Sequence, residues 1–260
     1  MKICRFVPRA SSSSATPRYG LIEGESVAEI SGVPWAQWTR GSHSLPLGDV
    51  RLLAPVEPSK VVCVGRNYAA HAAERGHAVP KEPLIFLKPP SSIIGTEEPI
   101  VLPGFSRNVH HEGELAVVIG CRCSHLSDAD NPLSFVFGYT CLNDVSARDI
   151  QESDVQFTRA KGFDTFCPVG PHIETELDPT NALVETRVNG ALRQSGNTSL
   201  MIYPVGYLIG WISRMMTLLP GDLIATGTPA GVGPLVAEDT VEVSVAGIGV
   251  LRNPVHPAQA

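Results

Sequence analysis

The segment "HHEGELAVVIG", residues 110–120, sets Glu112 and Glu114 two positions apart at the head of an apolar run. A β-strand turns alternate side chains to opposite faces. Both carboxylates therefore project from one face, with Ala116 and Val118. Two negative charges side by side at a core edge need compensation. They are either solvated at the strand edge, as most charged residues are, or gathered by a metal. Carboxylate oxygens are hard ligands that suit Mg²⁺, Mn²⁺ or Ca²⁺. Asp144, which closes the apolar run "FVFGYTCLND", is the candidate third acid. Three carboxylates without sulfur or imidazole favour Mg²⁺ over Zn²⁺ and leave positions on the ion for water or a chelating substrate. The adjacent His110 and His111 are expected to be supporting residues, because hard cations rarely recruit imidazole.

A second group lies in "NYAAHAAERGH", where His71 and Glu74 stand three apart and share one helical face. A carboxylate beside an imidazole fixes its tautomer and raises its basicity, which makes a dyad able to activate water. On its own the pair reads first as a surface ion pair worth about 0.2–0.5 kcal/mol. Lys161, in "TRAKGFDTF" between Arg159 and Asp164, supplies a cation to offset the acids and hold a substrate carboxylate. The stretch "TGTPAGVG", residues 226–233, offers glycines for close backbone approach and the Thr228 hydroxyl. It is not a phosphate loop, having neither G-K-[ST] nor a strand-to-helix context.

The elements that must position these groups are mostly strands. Residues 1–56 read as a small, separate β unit, with "RYGLIEGESVAEI" as a hairpin turning at Glu23-Gly24. The serine tract at 11–14 reads as a hairpin tip, and "APVEPSK" (54–60) as a linker. Residues 57–260 form the catalytic unit. It opens with the buried strand "KVVCVG", then the helix "NYAAHAAERGHA". "LIFLK", "PIVLP", "ELAVVIG", "FVFGYTCLND", "GDLIATGTP" and "TVEVSVAGIGVL" read as strands. "LVETRVNG" and "ALRQSG" form a hairpin turning at Asn189-Gly190. Many strands, few helices and no βαβ alternation give a mainly β (α+β) class.

Bulk properties bound the function. With 24 glycines and 22 prolines in 260 residues, short strands and loops are favoured over a helical bundle. A net charge of −6 gives no electrostatic case for nucleic acid or an anionic membrane. The longest apolar region, "LMIYPVGYLIGWI", is broken by Pro204, Gly206 and Gly210 and falls short of the roughly 20 residues a membrane span needs. It reads as a buried helix with Pro204 in its first turn. The first 20 residues lack a signal-peptide core. The six cysteines form no C-x-x-C pair and read as reduced core residues of a cytoplasmic protein, with no zinc site at Cys121 and Cys123.

Taken in order, "VGRNYAAHAAE", "FLKP", "HHEGELAVVIG", "NDVSARDIQ", "RAKGFDTFCPVGP", "VNGALRQSG" and "LLPGDLIATGTPAGVG" resemble the fumarylacetoacetate hydrolase family. The likeness is to its single-unit acylpyruvase-like and hydroxy-diene-dioate isomerase-like members, and runs from about residue 58 to the C-terminus. The resemblance implies a mixed β-sheet roll and a homodimer. It puts Glu112, Glu114 and Asp144 on the family's metal-binding acids. His71 and Glu74 fall on its catalytic dyad, carried on a lid, and Lys161 on its active-site lysine. Gln151 and Thr228 fall on substrate-contacting positions, and Arg148 lies beside them. The segment from Asp144 to Lys161 is shorter than in some acylpyruvase relatives, which bears on the shape of the substrate pocket.

The expected activity is Mg²⁺-dependent hydrolysis of a carbon–carbon bond in an acylpyruvate-type β-diketo acid, passing through an enolate held by the metal. The same electron sink serves isomerisation or decarboxylation of a 2-hydroxy-diene or 2-oxo dicarboxylate in aromatic catabolism. A non-catalytic, metal-dependent small-molecule binding protein is the alternative of another class. In each case the partner is a small 2-oxo acid.

Overall fold

The computed structural model describes residues 1–10 and 15–258, so the serine tract lies outside the described residues. The apolar runs become strands covered on both faces. Gly113–Ile119 is buried at every position. Its Leu115, Val117 and Ile119 share a cluster with Leu208, Ile209 and Ile212 of the helix Val205–Ser213. Ala116 and Val118 face the other way, into a cluster with Ile3, Val61, Cys63 and Leu223. Double coverage is why the run reads as continuously hydrophobic. Pro204 stands at the N-cap of the Val205–Ser213 helix, one position earlier than expected.

Gly113–Ile119 sits inside a 12-stranded mixed sheet. It pairs antiparallel with Val136–Asn143 on one side and with Leu223–Ala225 on the other, and Leu223–Ala225 runs parallel to Val61–Gly65. A five-stranded sheet follows the order Ala191–Asn197, Leu183–Val188, Thr240–Val245, Gly249–His256, Ile100–Val101. Its first hairpin turns at Asn189 and Gly190, with φ of 52° and 78°. Those positive values match the twist of the flanking strands, and Asn-Gly adopts them with little strain. A third sheet joins Ser146–Ala147, Val109–His111 and Gly233–Pro234. The result is the mainly β, mixed-sheet fold expected from the sequence.

Register brings the acids together. Gly113 lies opposite Asn143 in the ladder between Gly113–Ile119 and Val136–Asn143. Glu112 and Asp144, the residues just beyond, therefore meet, and Asp144 N donates to Glu112 O at 2.8 Å.

The N-terminal strands are not detached from this sheet. Lys2–Pro8 pairs with Cys167–Glu174, Lys2 opposite Glu174 and Ile3 opposite Ile173. The stretch 54–60 is irregular, yet Ala54, Pro55, Val56 and Pro58 are buried, so it is a packed connection and not a free tether. The reason is apolar: Val56 belongs to the same cluster as Ile3 and Val61. The first hairpin turns at Gly24-Glu25, one residue later than expected, because Glu23 still pairs with Ser26 and Gly24 takes a φ of 60°. Cys121 also departs from expectation. It is exposed, on a bend beyond Ile119, while the other five cysteines are buried and all six are free.

Ile3 joins the first strand to the main core with its side chain fully buried. Ile3→Ala should lower unfolding stability by about 2–5 kcal/mol, read by urea denaturation. A loss below about 0.5 kcal/mol, the level of ordinary surface changes, would show that the first strand contributes little to the common core.

Candidate active site

Glu112, Glu114 and Asp144 offer oxygen atoms that all lie within 4.8 Å of one another, and all three residues are buried. Glu112 stands between the strands Val109–His111 and Gly113–Ile119, with its N–H fixed by Asn143 Oδ1 at 2.9 Å. The structure thus brings together the three acids that the sequence pattern singled out.

Three cations answer them. Lys161 Nζ donates to Glu112 Oε2 at 2.7 Å and to Asp144 Oδ2 at 2.5 Å. Arg148 Nη2 is paired with Glu112 Oε1, and its Nη1 donates to Gln151 Oε1 at 2.8 Å. Lys88 Nζ donates to Asp144 Oδ1 at 2.6 Å and to Val145 O at 3.1 Å. Lys88 carried no role in the sequence reading. The signal was present, since it closes the strand Leu84–Lys88 as Asp144 closes its own apolar run. Burial pushes the Glu112 carboxyl up, but Arg148 and Lys161 outweigh it and hold it well below the usual range. Burial pulls Lys161 down, and Asp144 and Glu112 reverse that, so it stays a cation.

Glu114 has no such partner. Its only hydrogen bond among the described residues comes from Gly227 N, at 2.7 Å to Oε2. Burial, then the charges of Asp144 and Glu112, push its pKa well above the usual carboxylate value. Three converging hard oxygens, one without a counter-charge, fit a divalent cation, and Glu112, Glu114 and Asp144 are the residues that can hold it. His110 and His111 stand outside this cluster. His110 Nε2 bonds Asn108 Oδ1 at 2.8 Å and His111 Nδ1 bonds Gln194 Oε1 at 3.0 Å.

The dyad forms as well. Ala69–Glu74 is a short helix, and His71 Nδ1 lies 3.4 Å from Glu74 Oε2. The one side-chain hydrogen bond of His71 among the described residues is this one through Nδ1, and the ring lines the same cavity as the three acids. Burial lowers the His71 pKa, although Glu112 and Glu74 oppose it.

The glycine-rich loop ties the two groups together. Gly231 N donates to Glu74 Oε1 at 2.9 Å, as Gly227 N does to Glu114. Both glycines have φ near 100°, where a side chain is strained. A Cβ on Gly231 would lie 2.1 Å from Arg193 O. Thr228 Oγ1 lines the cavity, donating to Gly113 O at 2.8 Å and accepting from Gln194 Nε2 at 2.7 Å. Gln194, which the sequence reading passed over, also accepts from Gly113 N and donates to Pro229 O. A glutamine facing inward from a hairpin strand carries no local signal of that kind. The cavity measures about 300 Å³, the small end of ligand sites.

Buried acids fit for a cation, with a histidine paired to a glutamate in the same cavity, make a candidate active site of a metal-dependent kind. The family model described as fumarylacetoacetate (FAA) hydrolase C-terminal matches residues 60–256, and one described as Rv2993c-like, N-terminal matches residues 1–55. The chain therefore belongs to the fumarylacetoacetate hydrolase family, and it is an enzyme. It is 56% identical to protein Rv2993c of Mycobacterium tuberculosis over 91% of this chain and 93% of that one. It is 46% identical to the mitochondrial oxaloacetate tautomerase FAHD2A of Homo sapiens, over 81% of this chain and 71% of the relative. The crystal structure of 2-hydroxyhepta-2,4-diene-1,7-dioate isomerase from Mycobacterium marinum superposes with a TM-score of 0.90 at 48% identity, covering 100% of both chains. No helix is long and apolar enough to cross a membrane among the described residues.

Glu114→Gln removes the one acid of the three that has no cation against it. The metal-free variant should be at least as stable as the parent. Millimolar Mg²⁺ should raise the Tm of the parent but not that of the variant, and a rise retained in the variant would move the metal elsewhere.

Proposed function

We propose that the protein hydrolyses a carbon–carbon bond in an acylpyruvate-type β-diketo acid, with Mg²⁺ as the cofactor. The observation that carries this reading is that His71, whose Nδ1 faces Glu74, lines one cavity with the three acids. A metal alone would serve any enolate chemistry; a buried, neutral base beside it suits water activation. When bound by Glu112, Glu114 and Asp144, Mg²⁺ or the similar Mn²⁺ or Ca²⁺ supplies a Lewis acid for the 2-oxo acid end of the substrate.

The chain's own residues do the rest. Glu74 holds Nδ1–H of His71, which fixes the tautomer with Nε2 as the base. Nε2 takes a proton from water as the water oxygen adds to the distal carbonyl. The carbon–carbon bond then breaks, releasing a carboxylic acid and leaving its electron pair on the pyruvate half as an enolate. His71 returns the proton to that carbon, giving pyruvate. Lys161 uses two of its three N–H groups on Glu112 and Asp144 and turns its charge toward the cavity, 5.0 Å from the Phe86 ring centre. Gln151, its carbonyl held by Arg148, keeps its amide N–H₂ for the substrate carboxylate.

A second reading is isomerisation or tautomerisation, which moves a proton between carbon and oxygen without breaking a carbon–carbon bond. What favours it is the tautomerase and isomerase names of the two relatives, together with a dyad that can shuttle a proton.

Incubation with Mg²⁺ and an acylpyruvate, followed by loss of enol absorbance, should yield pyruvate. An isomer without pyruvate selects the second reading, and no turnover of any acylpyruvate removes the first. His71→Ala should lower kcat by about 10²–10⁴-fold, with KM little changed, as for loss of a general base. The base form of His71 is lost as pH falls through its pKa, which burial has lowered beneath the ordinary 6.5. The acid limb of kcat/KM should therefore lie below pH 6.5. A midpoint above about 7, in the range of an unburied or acid-raised histidine, would take His71 out of the base role.

A further inference from the structure

We propose that Arg66 determines substrate preference by holding a second anionic group, a carboxylate at the end of the substrate remote from the three acids. The proposal rests on the reading above, in which the 2-oxo acid end lies against Glu112, Glu114 and Asp144.

Four permanent cations line the cavity: Arg66, Arg75, Arg148 and Lys161. Arg148 and Lys161 are paired with Glu112 and Asp144. Arg75 Nη2 is 3.0 Å from Glu152 Oε1. Arg66 follows the buried strand Val61–Gly65, is half-buried, and has no acid and no side-chain hydrogen bond among the described residues. A cation in that setting has lost part of its water without gaining a partner, so an arriving carboxylate meets it already partly desolvated.

Placement agrees. Arg66, Arg75 and His77 line the cavity together, and burial, then the charges of Arg66, Arg75 and His71, lower the pKa of His77. The cations bonded to the acids are Lys88, Arg148 and Lys161, and Arg66 reaches none of Glu112, Glu114 and Asp144. Its backbone φ of 57° is the left-handed region, which a residue with a Cβ seldom adopts. Strain of this kind collects at ligand sites. A guanidinium there presents the planar fork that matches a carboxylate.

Two measurements test this with Mg²⁺ present. Calorimetry compares 2-oxoadipate with 2-oxohexanoate, which differ only in the terminal carboxylate. The diacid should bind at least about tenfold more tightly, the size of a charge-assisted hydrogen bond. Kinetics compares succinylpyruvate with butanoylpyruvate, with the same preference expected in kcat/KM. Arg66→Gln should bring both ratios toward one, and Arg66→Lys should restore part of each. Equal affinity for the two 2-oxo acids, binding of neither, or an unchanged ratio in Arg66→Gln overturns the assignment. A preference in binding that Arg66→Gln abolishes, without turnover of either acylpyruvate, keeps Arg66 and removes the hydrolase reading.

Discussion

Three carboxylates confined within 4.8 Å and shielded from water set the terms for the rest of the structure. At an effective dielectric near 20, each such pair repels by about 3–4 kcal/mol. The chain answers with three buried cations, Lys88, Arg148 and Lys161, so the formal charges cancel. The distribution does not. Lys161 and Lys88 both reach Asp144, Lys161 and Arg148 both reach Glu112, and none reaches Glu114. A cluster built only for stability would spread its cations evenly or replace the set with apolar groups, which is often neutral or stabilising. Leaving one acid bare while its neighbours are doubly held points the negative potential at one spot, where an added cation is bound best.

Different parts of the fold hold the two halves of the site, and they differ in how firmly. Gly113–Ile119 and Val136–Asn143 fix the acids through a ladder buried on both faces. The dyad rides on a six-residue helix, too short to be stable alone. It depends on outside contacts, among them the bond from Gly231 N to Glu74. Because Gly227 in the same loop bonds Glu114, one loop ties the His71–Glu74 pair to the acids. Gln194 in turn locks that loop to Gly113 through Thr228.

This division explains what the sequence disclosed. Glu112, Glu114 and Asp144 were legible because strand parity and the ends of apolar runs are local patterns. The Asn189-Gly190 turn was legible because its φ values belong to its two residues. His71 and Glu74 were legible as neighbours on a helix, though only the cavity that His71 shares with the acids separates them from a surface pair. Lys88 escaped because the argument that found Asp144 was applied to acids alone. Gln194 and the Gly231 contact escaped for a deeper reason: they join segments 157 and 81 residues apart, and no local pattern records such pairings. The packed connection at 54–60 was hidden likewise. Two prolines in a polar stretch describe the backbone, and the burial of Val56 depends on Ile3 and Val61.

The same division bears on which reaction the site performs. On the proposed reading, holding a 2-oxo acid end and absorbing developing negative charge is common to hydrolysis, decarboxylation and tautomerisation, so the rigid floor does not choose among them. The choice would then fall to the position of His71 Nε2 relative to the substrate. If a water molecule fits between them, the base delivers that water to the carbonyl. If the nitrogen reaches the carbon directly, it moves a proton and nothing else. That distance follows from the loop contact at Glu74, and it changes with a shift of the Ala69–Glu74 helix far smaller than any change of fold. A family with one floor and several reactions is what such an arrangement produces.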